Sequence, residues 1–456
     1  MNFKKILLAV VTGAALLTLA GAALSMPASD INIYGASAQY NFWKAEGANF
    51  LADQGCTVNG SRELNDGSSE AKKHFIVNAT CGANSVNIRV SSKASYDGVL
   101  ALQNNTVNPN AAPGGCPGTQ RLMLTAYTGD ARACYTVTIG ASDVVVGDFF
   151  QTSVGQKLGP YEGGSITRNF LGANAITDAG VTDYCRPLTI PFAFFINNSV
   201  KLADGVTQPT DINLVTAKII FGSGALADWS DLPGYNAGVI NVCFRHAGSG
   251  THATINSLFP TLASAVVNLP KVAGGGGLTY SGSNYFFNDG SADEMKCVNG
   301  AGLSSGAYWD GTGAIGYADA DQDLTNYPAT HRLTFNGVVP TRANVINSSY
   351  PFITVQNMYV TPGNAADATL IALCNHAADP INVHRANGFW APTCAFPVIP
   401  YSLFSGWVYN VGNGNTWDYL SWDNIANPAC TGAGTSTHGP EACCVGFHSS
   451  GNCCRE

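Results

Sequence analysis

The chain has 456 residues, of which 11% are charged and 46% hydrophobic, with 51 glycines and 14 cysteines. That length exceeds one ordinary core and that apolar content excludes a disordered chain, so two lobes or two domains are expected. A formal net charge of −8 excludes the basic surface by which nucleic acid or an anionic membrane is held, yet leaves room for an anion bound by local donors inside a cleft.

In chain order, the first predicted element is a signal peptide over residues 1–25. Lys4 and Lys5 precede an apolar run from Ile6 to Leu24, and the small residues Ala23 and Ser25 mark cleavage after Ser25. No later apolar run approaches the roughly 18 residues that span a bilayer. The mature chain is therefore expected to lack a membrane span and to be periplasmic or extracellular.

A helix is predicted over Gln39 to Leu51. Alternation places Val86, Ile88 and Val90 on one face of a strand, and Tyr135, Val137 and Ile139 on one face of another. Phe192 to Ile196, Val239 to Phe244 and Phe352 to Val355 are continuously apolar and suit buried strands. A helix over Thr251 to Val267 follows, kinked or ended at Pro260. Strands interleaved with helices give an α/β class, with ligand sites at the carboxyl ends of strands.

An even number of cysteines behind an export signal predicts disulfides. Cys56 and Cys81, Cys116 and Cys134, and Cys374 and Cys394 each bracket a polar loop and are expected to form local bridges. Residues 426–456 shift to Gly, Ser, Thr and Cys and read as an appendage. Cys430, Cys443, Cys444, Cys453 and Cys454 stand there with His438 and His448, in no C-x-x-C spacing, which favours disulfides over a metal site. Such a tail can also join copies of the chain.

Asp319-Ala320-Asp321-Gln322-Asp323 fails as a calcium loop, because Leu324 and Thr330 stand where Gly and Glu are needed. It reads as a solvated turn. No Gly-x-Ser-x-Gly elbow, H-E-x-x-H pair or P-loop occurs, so neither catalysis nor a cofactor is predicted.

The richest segment is Arg245-His246-Ala247-Gly248-Ser249-Gly250-Thr251, directly after an apolar strand. A helix start offers unpaired N–H groups and partial positive charge to an anion. Ser249 and Thr251 add hydroxyls, Gly250 permits close approach, and Arg245 presents a fork of donors. An N-capped helix beside a surface arginine would read the same way. His246 and His252 flank the cluster, either as pH sensors or in ordinary structural roles.

Over residues 31 to about 375 the chain resembles the phosphate-binding proteins of ABC transporters. The similarity runs, in the family's order, through Ile33-Tyr34-Gly35-Ala36-Ser37-Ala38-Gln39-Tyr40, Ile139-Gly140-Ala141-Ser142-Asp143 and the arginine cluster. It continues through Asn288-Asp289-Gly290, Gly313-Ala314-Ile315-Gly316-Tyr317, Asn336-Gly337-Val338-Val339-Pro340-Thr341 and Tyr350-Pro351. The resemblance implies a two-lobed periplasmic-binding-protein fold of type II with a ligand cleft between the lobes. Lobe 1 would comprise 26–198 and 341–425, and lobe 2 residues 199–340.

Carried across residue by residue, the ligand-binding set becomes Gln39, Tyr40, Ser95, Asp143, Arg245, Ser249, Gly250 and Thr251. Gln39 and Tyr40 stand in place of the family's Thr and Phe, and Ser95 comes from Ala94-Ser95-Tyr96-Asp97-Gly98. An ionised Asp143 would accept the proton that phosphate carries and sulfate lacks, or else would cap the following helix. Ala247 stands where the family often has an Asp, leaving Arg245 without a local carboxylate. The implied function is an exported protein capturing an oxyanion, phosphate above all, with an ABC permease as partner. The rival is an extracellular structural, adhesive or filament-forming protein on the same fold, suggested by the polar insertions and the tail.

Overall fold

The computed structural model describes residues 27, 29–65, 73–103, 116–146, 157–158, 168–169, 179–223, 226, 228–245, 248–259, 278–280, 283–288, 290–300, 312–379, 382–383, 386 and 390–392. The expected signal peptide, His246, Ala247, Pro260, Cys394 and the Cys-rich tail lie outside them.

Two sheets organise the described chain. Strand β1 (Ile31–Gly35) leads into helix α1 (Ser37–Asp53) and is followed by β2 (Thr57–Asn65), β3 (Lys73–Cys81), β4 (Asn84–Ser92) and helix α2 (Ser95–Leu102). Strands β5 (Ile139–Ser142) and β6 (Thr182–Cys185) come next. Strand β7 (Leu188–Asn197), buried at all ten positions, opens the second sheet. That sheet continues with β8 (Asn241–Arg245), helix α3 (Gly250–Leu258), β9 (Leu278–Tyr280), β10 (Ser283–Asn288), helix α4 (Ser291–Asn299), β11 (Ala314–Asp319) and β12 (Thr330–Arg332). Strand β13 (Ile353–Val355) also joins it, β14 (Asn357–Val360) returns to the first sheet, helix α5 (Ala368–Ala378) follows, and β15 (Ala391–Pro392) pairs with β7.

The first sheet has the order β6-β14-β5-β1-β4-β3-β2, and the second β9-β10-β8-β11-β7-β12 with β13 and β15 also on β7. Within each sheet three strands run parallel: β4, β1 and β5 in the first, β10, β8 and β11 in the second. Their carboxyl ends share one edge, the place where open α/β sheets gather ligand groups. The chain crosses between sheets at Arg186–Pro187, at Gln356, whose N–H donates to the Leu188 carbonyl at 2.7 Å, and again between α5 and β15, which pairs with β7 beside Leu188. These crossings lie side by side and join two lobes.

Gly35 makes the turn from β1 to α1 with φ +131°, and a Cβ there would lie 2.2 Å from the Ala141 carbonyl oxygen. Gly98 likewise lets α2 lie flat on β1 and β5, since a Cβ would meet the Ala141 oxygen at 2.4 Å and the Tyr34 oxygen at 2.7 Å. The cores are aromatic: Phe42, Trp43 and Phe50 beneath α1, and Phe192, Phe194, Phe221, Phe335 and Phe352 around β7.

Tyr135 to Ile139 do not form one strand. A hairpin strand ends at Thr136, and β5 begins at Ile139 in another sheet. The helix expected to reach Val267 ends at Leu258, two residues before Pro260. Cys56–Cys81 and Cys116–Cys134 are bridged as expected. The expected Cys374–Cys394 bridge is overturned, because Cys374 pairs with Cys185. Helix α5 packs on the first lobe, where His376 Nε2 lies 3.1 Å from Glu46 Oε2 of α1, and so brings Cys374 beside the end of β6. A fourth bridge, Cys243–Cys297, ties β8 to α4. Peptide mapping without reductant is expected to recover these four pairs. Loss of Cys243–Cys297 by a double alanine substitution should cost about 2–4 kcal/mol, read by chemical denaturation; unchanged stability would show the bridge to be absent.

Candidate anion-binding site

Four helices begin at the edge where the lobes meet, two from each. Helices α1 and α2 follow β1 and β4; α3 and α4 follow β8 and β10. Three of them, at Ala36, Ala94 and Gly290, have no side chain capping the first turn, which leaves their N–H groups to serve another acceptor.

Their first residues touch across the gap. Ser37 Oγ lies 3.3 Å from Ser291 Oγ, and the Tyr96 N–H donates to the Gly248 carbonyl at 3.1 Å. A Cβ on Gly250 would fall 2.4 Å from Ser95 Oγ and 2.5 Å from Asp143 Cβ. Asn41 Nδ2 donates to Asp321 Oδ2 at 3.1 Å, also between lobes. A cavity of about 60 Å³ opens beside this junction, lined by Ser37, Asn41, Lys73, Lys93, Ser291 and Asp319 among others.

Ser95, Asp143, Arg245, Ser249, Gly250 and Thr251 thus meet at one place, all buried. The Ser95 hydroxyl accepts the Asp143 N–H at 3.0 Å. Thr354 donates its hydroxyl to the Asp143 carbonyl. Asp143 Oδ1 and Thr251 Oγ1 are buried with no hydrogen-bond partner, as expected of atoms that meet a ligand. Burial pushes the Asp143 carboxyl up to about 6, against the opposing pull of Ser95, Gln356 and Arg245. Ser249 accepts the His252 N–H at 3.4 Å and so caps α3, with its hydroxyl hydrogen still to give.

Arg245 departs from the expectation of a missing carboxylate partner. Glu294 of α4 supplies one, its Oε2 3.9 Å from Arg245 Nε, while Arg245 Nη1 donates to Ser291 Oγ at 2.8 Å. Burial raises the Glu294 carboxyl well above its ordinary range, with Arg245 opposing. His252 is structural rather than a pH sensor. Its Nδ1 lies 2.6 Å from the Tyr317 hydroxyl, and burial, aided by Arg245, pushes it down to about 3, so the ring is neutral at physiological pH.

Gln39 and Tyr40 enter the expected set through their backbone N–H groups, and their side chains are engaged elsewhere. The Gln39 amide donates to the Asn357 carbonyl at 3.0 Å, and the Tyr40 hydroxyl to Glu63 at 3.1 Å on the outer side of α1. The cleft face of that helix belongs to Ser37 and Asn41, four residues apart. The Asp319 to Asp323 segment is a solvated turn only at Asp323; Asp319 is 2% exposed at the end of β11. Among the described residues no cluster of His, Cys, Asp and Glu is placed to hold a metal, and no helix is long and apolar enough to cross a membrane.

No family model and no curated protein matches the chain. Similar solved structures include a chain from Clostridium perfringens assigned as a phosphate ABC transporter substrate-binding protein, solved with bound phosphate. It is 16% identical, with 79% of this chain and 98% of that one covered and a TM-score of 0.43. An ABC-type phosphate transport receptor from Vibrio cholerae is 13% identical, with coverage of 79% and 99% and a TM-score of 0.39. A phosphate binding protein from Stenotrophomonas maltophilia is 12% identical, with coverage of 79% and 90% and a TM-score of 0.40. The two-lobed α/β class of this chain rests on its own pair of sheets and the cleft between them.

Proposed function

We propose that this chain is an exported solute-binding protein that encloses a tetrahedral oxyanion, inorganic phosphate first, and presents it to an ABC-type permease. The observation that carries the reading is the convergence of four helix starts, two from each lobe, on Arg245 and on the unpartnered buried atoms Asp143 Oδ1 and Thr251 Oγ1. N–H groups, hydroxyls and a guanidinium supply donors on every side, while Asp143 supplies the acceptor that a protonated oxyanion requires. The ligand set is Ser95, Asp143, Arg245, Ser249, Gly250 and Thr251, extended by Ser37 and Ser291. Four disulfides among the described residues support an oxidising compartment.

Calorimetry on the purified mature protein tests this. Phosphate is expected to bind with measurable heat and to stabilise the fold by about 2.7 kcal/mol at a hundredfold excess over Kd, while sulfate does neither. No heat and no thermal shift with millimolar phosphate would remove the reading.

A further inference from the structure

Asp143 has a counterpart. Each lobe contributes three parallel strands to the cleft edge, and in each lobe two of these lead into helices. The third ends in an aspartate: Asp143 directly after β5, and Asp319 as the last residue of β11. Both side chains are 2% exposed, and each has one carboxylate oxygen, Oδ1, that is buried and unpartnered. Asp319 lines the cleft cavity together with Ser291, whose hydroxyl receives a hydrogen bond from Arg245. Asp143 and Asp319 come from opposite lobes, the charge of Asp143 reaches Asp319, and Arg245 acts on both.

We propose that Asp319 is a second proton-accepting residue of the anion site, so that the site takes an oxyanion offering two hydroxyl hydrogens, the class of dihydrogen phosphate, one to Asp143 and one to Asp319. The inference rests on the anion-binding reading above and specifies its ligand. An anion with one hydrogen satisfies Asp143 and leaves a second carboxylate facing a bare charged oxygen at short range. That repulsion is strong where water is excluded. A second hydrogen converts it into a charge-assisted hydrogen bond.

The surroundings of Asp319 fit the role. Burial pushes its carboxyl up to about 7, with Asp321 and Asp143 adding to the rise and Arg245 and Ser291 opposing it. The other charged groups are Lys73 of β3, Lys93 after β4 and Asp293 of α4 around the cavity, and buried Glu294 of α4, whose carboxyl is raised by burial and in part by Asp319. Gln322 Nε2 donates to Asp319 Oδ2 at 3.2 Å, which leaves Oδ1 as the free acceptor. At pH 8, above the values of about 6 and about 7 to which Asp143 and Asp319 are raised, both aspartates are ionised in the empty protein, and phosphate carries one proton. The complex needs two. Binding must then take up about one proton, and affinity must fall about tenfold for each pH unit of rise.

Inorganic phosphate titrated calorimetrically at pH 8, in two buffers of different ionisation enthalpy, counts that proton directly. Wild-type protein is expected to take up about one per anion, with the tenfold-per-unit slope reached between pH 8 and 9. Asp319→Asn keeps the size and can turn an N–H₂ donor to the anion, so it should bind with uptake near zero and a flat profile. Phosphate bound by wild type without proton uptake would overturn the proposal, as would undiminished uptake in Asp319→Asn. Absence of phosphate binding at every pH from 5 to 9 would instead overturn the anion site itself.

Discussion

Arg245→Ala is expected to weaken phosphate binding by about 2–5 kcal/mol, a loss of roughly thirtyfold to several thousandfold. Arg245 is 1% exposed, and its Nη1 is fixed by Ser291 at 2.8 Å. Its guanidinium is thus held in place before any anion arrives. Truncation also strips Glu294 of the cation 3.9 Å away and leaves a buried carboxylate without compensation. Stability should therefore fall along with affinity, and the two losses can be separated. Arg245→Ala combined with Glu294→Gln removes the orphaned charge and should recover stability without recovering phosphate. Arg245→Lys keeps the charge but loses the planar fork, and should fall between wild type and alanine. Wild-type affinity in Arg245→Ala would mean that any bound anion sits elsewhere.

Gly250→Ala is the second large effect. Alanine suits a helix better than glycine does, so the change should not harm the second lobe by itself. The added methyl, however, would sit 2.4 Å from Ser95 Oγ and 2.5 Å from Asp143 Cβ, both in the facing lobe. Neither neighbour yields easily. Ser95 Oγ holds the Asp143 N–H, and the Asp143 carbonyl is held by Thr354. Overpacking of this kind costs about 1–3 kcal/mol, and here it falls on closure of the lobes. Phosphate affinity should drop about fivefold to 150-fold, with the thermal midpoint of the ligand-free protein unchanged. Equal loss of stability in the ligand-free protein would place the clash inside one lobe instead.

How far the sequence discloses the site depends on whether a residue's partner is near in the chain. Ser249-Gly250-Thr251 announces itself, because a strand, a glycine and two hydroxyls at a helix start are all local features. Ser291 follows the same logic after β10, and Gly290-Ser291 could have been read as a second such start. Glu294 could not: its partner Arg245 lies 49 positions earlier and meets it only because β8 and β10 pair in parallel. Asp319 was hidden by its company, since three alternating aspartates read as solvent-facing. Its burial depends on β11 being covered on both sides, which only the assembled sheet decides. At the first turn of α1, helical phase points Ser37 and Asn41 to the cleft and turns the Tyr40 side chain towards Glu63, which similarity of sequence does not disclose. The sheet class and the buried strands were legible because continuous apolar runs have few other destinations. The Cys185–Cys374 bridge was not, since 189 residues separate its ends.

The bridges have a further consequence for how such a protein wears and works. Among the described residues, three lie wholly in the first lobe and one wholly in the second. None clasps one wall of the cleft to the other. Oxidation therefore hardens each shell, while none of these four bridges governs the gape between them, which is spanned by the peptide crossings at Arg186–Pro187, at Gln356 and between α5 and β15. Durability and turnover are divided between different bonds. The redox state of the surroundings sets how long each lobe survives, and the crossings together with the polar contacts at the helix starts set how fast the anion comes and goes.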